Sequence, residues 1–277
     1  MFTQAIEAMN NRDVEKALAE GKIVIKENEP FCKKCGAKLL KKTDLMSYFV
    51  RCEKCDPVVK EWEKEAEAKK QAEKQAEIKK AKENCFIGKK AMEQTFENDD
   101  KTNSQASQKL QFNYVVNFKR YKEKGCGLLL YGGSGTGKTY LARAVLHKLI
   151  ENGYKAKEIK ILKAYNDVCH SGEKKEDFIE DLTRKDVVFI DDLGTERNND
   201  TMIEFAYNII DTLYERKIPV ICTTNVSISC FASPDLDTNY GRIYSRIYGS
   251  SIPLEINAKN KRLDDLKDLI TLWNANK

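Results

Sequence analysis

The spacing of apolar positions along this chain predicts its secondary structure. From about residue 128 onward, short continuous apolar runs alternate with stretches in which apolar residues recur every three or four positions. Continuous runs are typical of strands buried on both faces, and the wider spacing is typical of amphipathic helices. The predicted strands are Leu128–Tyr131, Ile159–Leu162, Val187–Ile190, Val220–Thr223 and Ile252–Ile256. This alternation predicts an α/β fold with a parallel sheet covered by helices.

Three helical stretches are predicted between these strands. One has a single apolar face made by Leu141, Val145, Leu146 and Leu149. A polar helical stretch follows the second strand and extends to Arg184, and Ile203–Tyr214 again has helical spacing.

The first third of the chain has a different pattern. Within residues 1–29 the apolar positions fit two short helices on either side of a break at Asn11–Asp13. From Lys60 to about Asn84 the sequence is dominated by Glu, Lys, Ala and Gln, which predicts an exposed helical connector. We therefore predict an N-terminal module (1–56), a charged helical linker (57–95) and a large α/β domain (96–277).

Composition sets broad limits on the function. Of the 277 residues, 33% are charged, and the formal net charge is only +5. This balance is typical of a soluble protein and permits a polyanionic partner without requiring one. No apolar run reaches the length of a membrane span, so no membrane partner is expected and the predicted location is the cytoplasm. The nine cysteines are then expected to be thiols or metal ligands rather than disulfides.

A complete phosphate-binding pattern, G-x-x-x-x-G-K-T, follows the first predicted strand of the large domain. Its residues are Gly132, Gly133, Ser134, Gly135, Thr136, Gly137, Lys138 and Thr139. Glycines let successive backbone N–H groups converge on phosphate oxygens, and the following helix presents its positive end to the same anion. Lys138 is expected to reach the β- and γ-phosphates, and the Thr139 hydroxyl is expected to bind Mg²⁺. The pattern predicts a nucleoside triphosphate site.

A second motif strengthens this prediction. The apolar strand Val187–Ile190 ends in Asp191 and Asp192. Such a strand is expected to deliver Asp191 to the Mg²⁺ beside Thr139, while Asp192 polarises the attacking water. An apolar strand ending in acids is common by itself, but it is much more specific downstream of a complete phosphate loop.

Three further polar residues are candidates for catalysis. Asn225 follows the strand Val220–Thr223, where its amide could hold the hydrolytic water, although a turn-forming Asn is common at such a position. Arg242 and Arg246 are four positions apart and share one face if that stretch is helical. They form either a solvated face or a pair that includes an arginine donated to a neighbouring subunit's nucleotide.

The N-terminal module contains two C-x-x-C pairs. Cys32 and Cys35 form the first, and Cys52 and Cys55 form the second. This spacing matches a four-cysteine Zn²⁺ site, in which each tight turn offers two thiolates to a tetrahedral ion. The alternatives are a redox site or a chance pattern. Because a complete four-thiolate set leaves no open position, the predicted Zn²⁺ is structural.

The ordered combination of these motifs resembles the AAA+ ATPases of the bacterial helicase-loader group, DnaC and DnaI, with the transposition helper IstB as a relative. The resemblance covers roughly residues 86–262, and Met92–Asn98 resembles the segment that opens that ATPase domain. The cysteine module resembles the zinc-binding N-terminal domain of DnaI-type loaders more loosely. The motifs that carry the resemblance are Gly132–Thr139, Val187–Glu196, Thr223–Asn225 and Arg242 with Arg246.

The resemblance implies an architecture and a set of roles. It implies an AAA+ P-loop ATPase domain with a parallel five-stranded sheet and no large lid, preceded by the four-cysteine module and the helical linker. It also implies binding of ATP, with Asn225 as a sensor, Arg246 as the best candidate for a finger that acts on a neighbouring subunit, and Arg262 as a candidate second sensor. The implied partners are a replicative DnaB-type helicase, single-stranded DNA and further copies of this chain.

Several functions therefore remain open at the level of sequence. The first is an ATP-dependent loader that passes a replicative helicase to single-stranded DNA, which the zinc module favours because a helicase-docking domain would explain it. The second is a transposition helper that binds target DNA. A nucleotide or metabolite kinase and a zinc-containing DNA-binding protein with an inactive ATPase site are two further alternatives.

Overall fold

The chain is divided into two compact units in a computed structural model of the protein, Met1–Ala76 and Glu77–Lys277. The structure describes residues 12–26, 29–38, 57–99, 102–172, 174–194 and 200–258, together with the single positions 260, 267, 270, 271 and 273. The finer division into residues 1–56, 57–95 and 96–277 stays a prediction. No helix within the described ranges is long and apolar enough to span a membrane.

The first unit contains a short helix and a β-hairpin. Helix α1 (Arg12–Ala19) is the second of the two short helices predicted there, whereas residues 1–11 lie outside the described part. Strands β1 (Ile23–Lys26) and β2 (Glu29–Cys32) pair antiparallel, with Ile23 opposite Cys32. The sequence analysis did not predict this hairpin, because only four residues form each strand.

Helix α2 (Pro57–Cys85) corresponds to the predicted charged connector. It begins with a proline, which is tolerated in the first turn because its missing N–H has no intrahelical partner there. Every side chain from Lys64 to Glu77 is exposed, in agreement with the lack of an apolar face.

Five parallel strands form the sheet of the second unit. They are β3 (Gly127–Tyr131), β4 (Ala156–Ile159), β5 (Val187–Leu193), β6 (Val220–Thr224) and β7 (Ser251–Glu255), in the spatial order β4-β5-β6-β3-β7. The predicted parallel five-stranded sheet is thereby confirmed. Since all strands run in one direction, the residues that follow β3, β5 and β6 meet at one edge.

Helices cover both faces of this sheet. The helical elements are a 3₁₀ turn (Lys89–Glu93), α3 (Ser104–Gln108), a π-helical turn (Lys109–Val115), α4 (Phe118–Glu123), α5 (Lys138–Glu151), α6 (Ile161–Ser171), α7 (Lys175–Thr183), α8 (Asp200–Glu215), α9 (Ile228–Ala232) and α10 (Asn239–Gly249). Side chains alternate between the two faces, so Leu128 and Leu130 pack with α5, whereas Leu129 packs with α8 and α10. Two apolar cores result.

One predicted strand was misplaced. The run Ile159–Leu162 was expected to be a strand, but β4 ends at Ile159 and Ile161 begins helix α6. The strand was missed because it contains Glu158, which is buried against Arg143, and a charged residue reads as a surface position in the sequence. Ile161 is buried as the first apolar residue of an amphipathic helix. The polar stretch to Arg184 is also two helices, separated at Gly172 in a left-handed conformation.

Residues 82–98 lie along helix α5 and strand β4, and we call this segment the strap. Its polar contacts include Arg143 Nη1 donating to Gln94 Oε1 at 2.7 Å and Tyr140 Oη donating to Thr95 O at 2.8 Å. Phe86 stacks on His147 with ring centroids 4.2 Å apart. The strap therefore fixes the helix that carries the phosphate-binding loop.

Candidate functional site

The candidate site begins in the loop between β3 and α5. Gly132 has φ 140°, and a Cβ added there would lie 2.4 Å from the backbone oxygen of Ile256. Gly137 has φ 96° and caps α5, and an added Cβ would lie 2.9 Å from Asn103 Nδ2. Only glycine combines this conformation with such close approach. The turn places Gly132, Gly133, Ser134, Gly135, Thr136, Gly137, Lys138 and Thr139 between strand and helix, where the sequence predicts them.

Lys138 points back into this loop. Its Nζ donates to the carbonyl oxygens of Gly132 at 3.0 Å and Gly133 at 2.6 Å, and to Asn225 Oδ1 at 2.8 Å. The side chain is buried, so its charge depends on these acceptors rather than on water. The structure thus brings together Lys138 and Asn225, which are 87 positions apart.

Asp191 is the centre of a second group of contacts. Its Oδ1 accepts hydrogen bonds from Thr139 Oγ1 at 2.7 Å and from Thr223 Oγ1 at 2.8 Å, and its Oδ2 lies 3.0 Å from Lys160 Nζ. The predicted pair of Thr139 and Asp191 is therefore in direct contact. A hydroxyl beside a carboxylate offers the hard oxygen ligands that Mg²⁺ prefers, so these two residues fit the cation.

Asp192 lies at an irregularity in β5. The pairing of β5 with β6 shifts register between Ile190 and Leu193, and Asp192 has φ 63°, a left-handed conformation that is uncommon outside glycine. Its backbone N–H donates to Thr223 Oγ1 at 2.9 Å, and its Oδ1 accepts from Asn225 Nδ2 at 3.1 Å. The bulge turns Asp192 toward Asn225 instead of into the sheet.

The two arginines contact other parts of the chain. Both lie on α10, and Arg246 Nη2 is 2.5 Å from Asp211 Oδ1 on α8 and donates to Tyr207 Oη at 3.1 Å. Arg242 is exposed, and its Nε donates to Leu236 O at 3.1 Å. Their described contacts are on α8, on α10 and beside it, and none joins them to the phosphate-binding loop.

Sequence reasoning missed three residues of the site. Asn103 is buried and donates through Nδ2 to Thr136 O at 2.9 Å, which holds the loop from outside. Thr223 bridges Asp191 and Asp192, and Lys160 contacts Asp191. Thr223 belongs to the segment that ends in Asn225, but its position in the sequence does not indicate that it contacts Asp191 and Asp192. No local signal indicated Asn103 or Lys160.

The described part of the predicted zinc module contains one of the two cysteine pairs. Cys32 is buried and Cys35 is exposed, and the N–H of Gly36 donates to Cys32 O at 2.8 Å in a tight turn. Cys52 and Cys55 lie outside the described residues, as does Arg262. The described residues contain no group of three or more metal-binding side chains, so the zinc site stays a prediction.

The family described as IstB-like ATP binding protein matches residues 58–264, well over half of the chain. The chain belongs to this family. Membership of this family supports ATP binding by the chain.

Two solved structures share the fold of this IstB-like protein. The DnaC helicase loader has 27% sequence identity and a TM-score of 0.53, over 61% of this chain and 100% of that chain. DnaI has 21% identity and a TM-score of 0.51, over 65% of this chain and 98% of that chain.

A curated relative matches over a shorter region. The chromosomal replication initiator protein DnaA of Caldanaerobacter subterraneus subsp. tengcongensis is 30% identical over 102 residues, which is 35% of this chain. The match spans only 23% of that relative's length.

Proposed function

We propose that this protein is an ATPase that loads a ring-shaped replicative helicase of the DnaB type onto single-stranded DNA. The observation that carries the ATPase part is the joining of Lys138, Asn225 and Asp192 in one hydrogen-bonded chain beside the Thr139–Asp191 pair. This arrangement combines a phosphate-binding cation, two oxygen ligands for Mg²⁺ and a carboxylate next to a polar amide.

Each residue has a distinct proposed role. Lys138 would exchange its carbonyl partners for phosphate oxygens, which are stronger acceptors because they are charged. Thr139 and Asp191 would hold Mg²⁺, whose chemistry is to neutralise charge on the phosphates. Asp192 would accept a proton from the attacking water, and Asn225 would orient that water. The exposed side chain of Asn225 leaves it accessible from solvent.

The loader assignment is supported by similarity to a solved structure rather than by the site alone. The DnaC structure named as a helicase loader is covered over its full length by this chain. We further propose that Cys32, Cys35, Cys52 and Cys55 hold a structural Zn²⁺ and that this module binds the helicase. The tight turn in which the Gly36 N–H donates to Cys32 O is compatible with one half of such a site.

Two variants of the full chain test the ATP site and the zinc module separately. Lys138→Ala should weaken binding of a fluorescent ATP analogue by about tenfold to a hundredfold, because a charged hydrogen-bond donor is lost. Cys32→Ser should release about one zinc ion per chain and abolish co-sedimentation with a DnaB-type helicase, while ATP binding persists. Cys169→Ser, on the exposed face of α6, is the matched control.

The outcomes separate the candidate functions. Unchanged nucleotide affinity in Lys138→Ala would refute the ATP site. A wild-type chain that binds ATP and DNA but no helicase would instead favour the second candidate, a transposition helper that binds target DNA. The family match gives this second candidate its support.

A further inference from the structure

Asp191 has an unusual set of partners for a residue expected to bind Mg²⁺. The residue is only 4% exposed, and both of its carboxylate oxygens are engaged. Oδ1 accepts from two hydroxyls, and Oδ2 is paired with the ammonium group of Lys160 at 3.0 Å. Within the described residues, Lys160 provides the one positive charge in contact with this buried carboxylate.

A buried carboxylate needs a compensating charge. Ionised groups removed from water are costly unless they are paired and hydrogen-bonded, and the hydroxyls of Thr139 and Thr223 supply hydrogen bonds but no charge. Lys160 meets this need from the end of β4, at the position that precedes helix α6. It reaches Asp191 on the neighbouring strand β5 because the two strands pair in the sheet.

The Lys160 side chain is also able to move away from Asp191 into solvent. It is 46% exposed, in contrast to 3% for the Asp191 side chain. An ammonium on a flexible four-carbon stem regains its hydration when it moves into solvent. Displacement of Lys160 therefore costs little, provided that another cation takes its place beside Asp191.

From these contacts we infer that Lys160 is a placeholder cation, which neutralises Asp191 until a divalent cation displaces it. This inference rests on the proposed Mg²⁺ site of Thr139 and Asp191. An ammonium and a dication at one carboxylate repel each other, so the ion pair and the metal compete. Lys160 is thus a positioning residue that sets the Mg²⁺ concentration at which the site accepts the metal.

The test uses the full chain and measures binding rather than turnover. In Lys160→Met, the Mg²⁺ concentration for half-maximal binding of a fluorescent ATP analogue should fall by about tenfold or more, at the lower end of the coupling found for close charge pairs. The Tm measured in EDTA should fall as well, because Asp191 is then buried without a cation. A purely structural role of Lys160 would lower the Tm without tightening metal binding.

Two further variants serve as controls. Lys160→Arg keeps the charge and should retain most of the wild-type Mg²⁺ dependence. Lys163→Met removes a lysine that lies one turn further along α6 and pairs with Asp167 at 2.5 Å, away from the site, so it should change neither quantity.

The result that overturns the inference is specific. An unchanged or increased Mg²⁺ requirement in Lys160→Met would refute it, as would weaker nucleotide binding at saturating Mg²⁺, which would make Lys160 a nucleotide ligand. If the wild type binds no nucleotide at all, the proposed function fails separately. In that case the increase of Tm with Mg²⁺ or Mn²⁺ alone still tests the competition, and an equal metal effect in wild type and Lys160→Met would refute it.

Discussion

At the scale of single residues, the site depends on conformations and contacts that are individually unfavourable. Asp192 adopts a left-handed backbone conformation, and Lys138 is buried against carbonyl groups. Each is held by partners at the end of β6 or just after it, chiefly Thr223 and Asn225. Strain and burial of this kind persist only where the surrounding structure supplies compensating contacts.

His147 on helix α5 shows how burial changes the pKa of a side chain. Its Nε2 donates to Ala91 O at 2.9 Å, its ring stacks on Phe86, and its Nδ1 is buried with no hydrogen-bond partner in the described structure. Burial lowers the pKa of His147 below its ordinary value, and it outweighs the opposing contributions of the Ala91 contact and the nearby carboxylates of Glu151 and Glu97. Protonation would place an unpaired charged N–H at Nδ1.

This burial predicts a pH dependence of stability. Below about pH 6.5 the unfolded chain binds a proton at His147 before the folded chain does, so the free energy of unfolding should fall as the pH is lowered. When the free energy of unfolding is measured by urea denaturation at a series of pH values, it should fall less steeply below about pH 6.5 in His147→Gln than in the wild type. His170→Gln, at an exposed position of α6, should keep the wild-type slope. Equal slopes in all three proteins would contradict this prediction.

At the scale of elements, a buried ion pair joins helix α5 to strand β4, and the strap is attached to the same pair through the backbone N–H of Ile87. Arg143 on α5 contacts Glu158 on β4, with Nη2 and Oε1 2.5 Å apart, and Glu158 Oε2 also accepts from the backbone N–H of Ile87 at 3.2 Å. The two side chains are 10% and 0% exposed, so neither charge has access to much water. This network attaches the strap to the helix that begins at Lys138.

We predict that Arg143→Met lowers the free energy of unfolding by about 3–5 kcal/mol, because Glu158 is left as an uncompensated buried charge. The double variant Arg143→Met/Glu158→Leu should recover much of that loss, since an apolar pair of similar volume removes the buried charge altogether. Urea denaturation of the three proteins measures the difference. A double variant less stable than Arg143→Met would contradict the burial argument.

At the scale of the whole molecule, the resemblance to helicase loaders predicts that Arg246 acts on the nucleotide of a second copy of the chain. Arg246, the candidate finger, is held within its own chain by an ion pair to Asp211 and by Tyr207, whose ring centroid is 4.9 Å from the guanidinium carbon. Action on a neighbouring nucleotide would require Arg246 to leave these contacts. Arg242 is exposed on the same helix and provides the natural comparison.

Mixing variants tests this shared site. Arg246→Ala should keep ATP affinity and lose turnover, and Lys138→Ala should lose turnover because its nucleotide binding is weakened. Mixed in equal amounts, the two should regain part of the turnover, because an intact Lys138 can then meet an intact Arg246 from the other chain. Repeating the mixture with Arg242→Ala in place of Arg246→Ala shows which of the two arginines acts on the nucleotide of the neighbouring chain. Absence of recovery, with unchanged Tm values, would count against a shared site.

Local patterns in the sequence were sufficient for the central loop and the type of fold. The glycines of Gly132–Thr139 encode a backbone conformation within eight neighbouring residues, and the apolar run before Asp191 encodes a buried strand. Both signals depend only on nearby residues, so they are readable without the rest of the molecule. The same reasoning failed at β4, where Glu158 is buried because of Arg143, a residue 15 positions away.

The sequence by itself therefore determined the phosphate-binding loop, the acidic end of β5 and the alternation that makes a parallel sheet. Only the tertiary structure decided which distant side chains complete the site. Lys160, Thr223 and Asn103 come together with the loop through the strand order β4-β5-β6-β3-β7 and the packing of α3, and nothing in their local spacing encodes that order. Periodicity reports how a segment buries its own side chains, whereas the partner of a buried charge is set by which segments pack beside it.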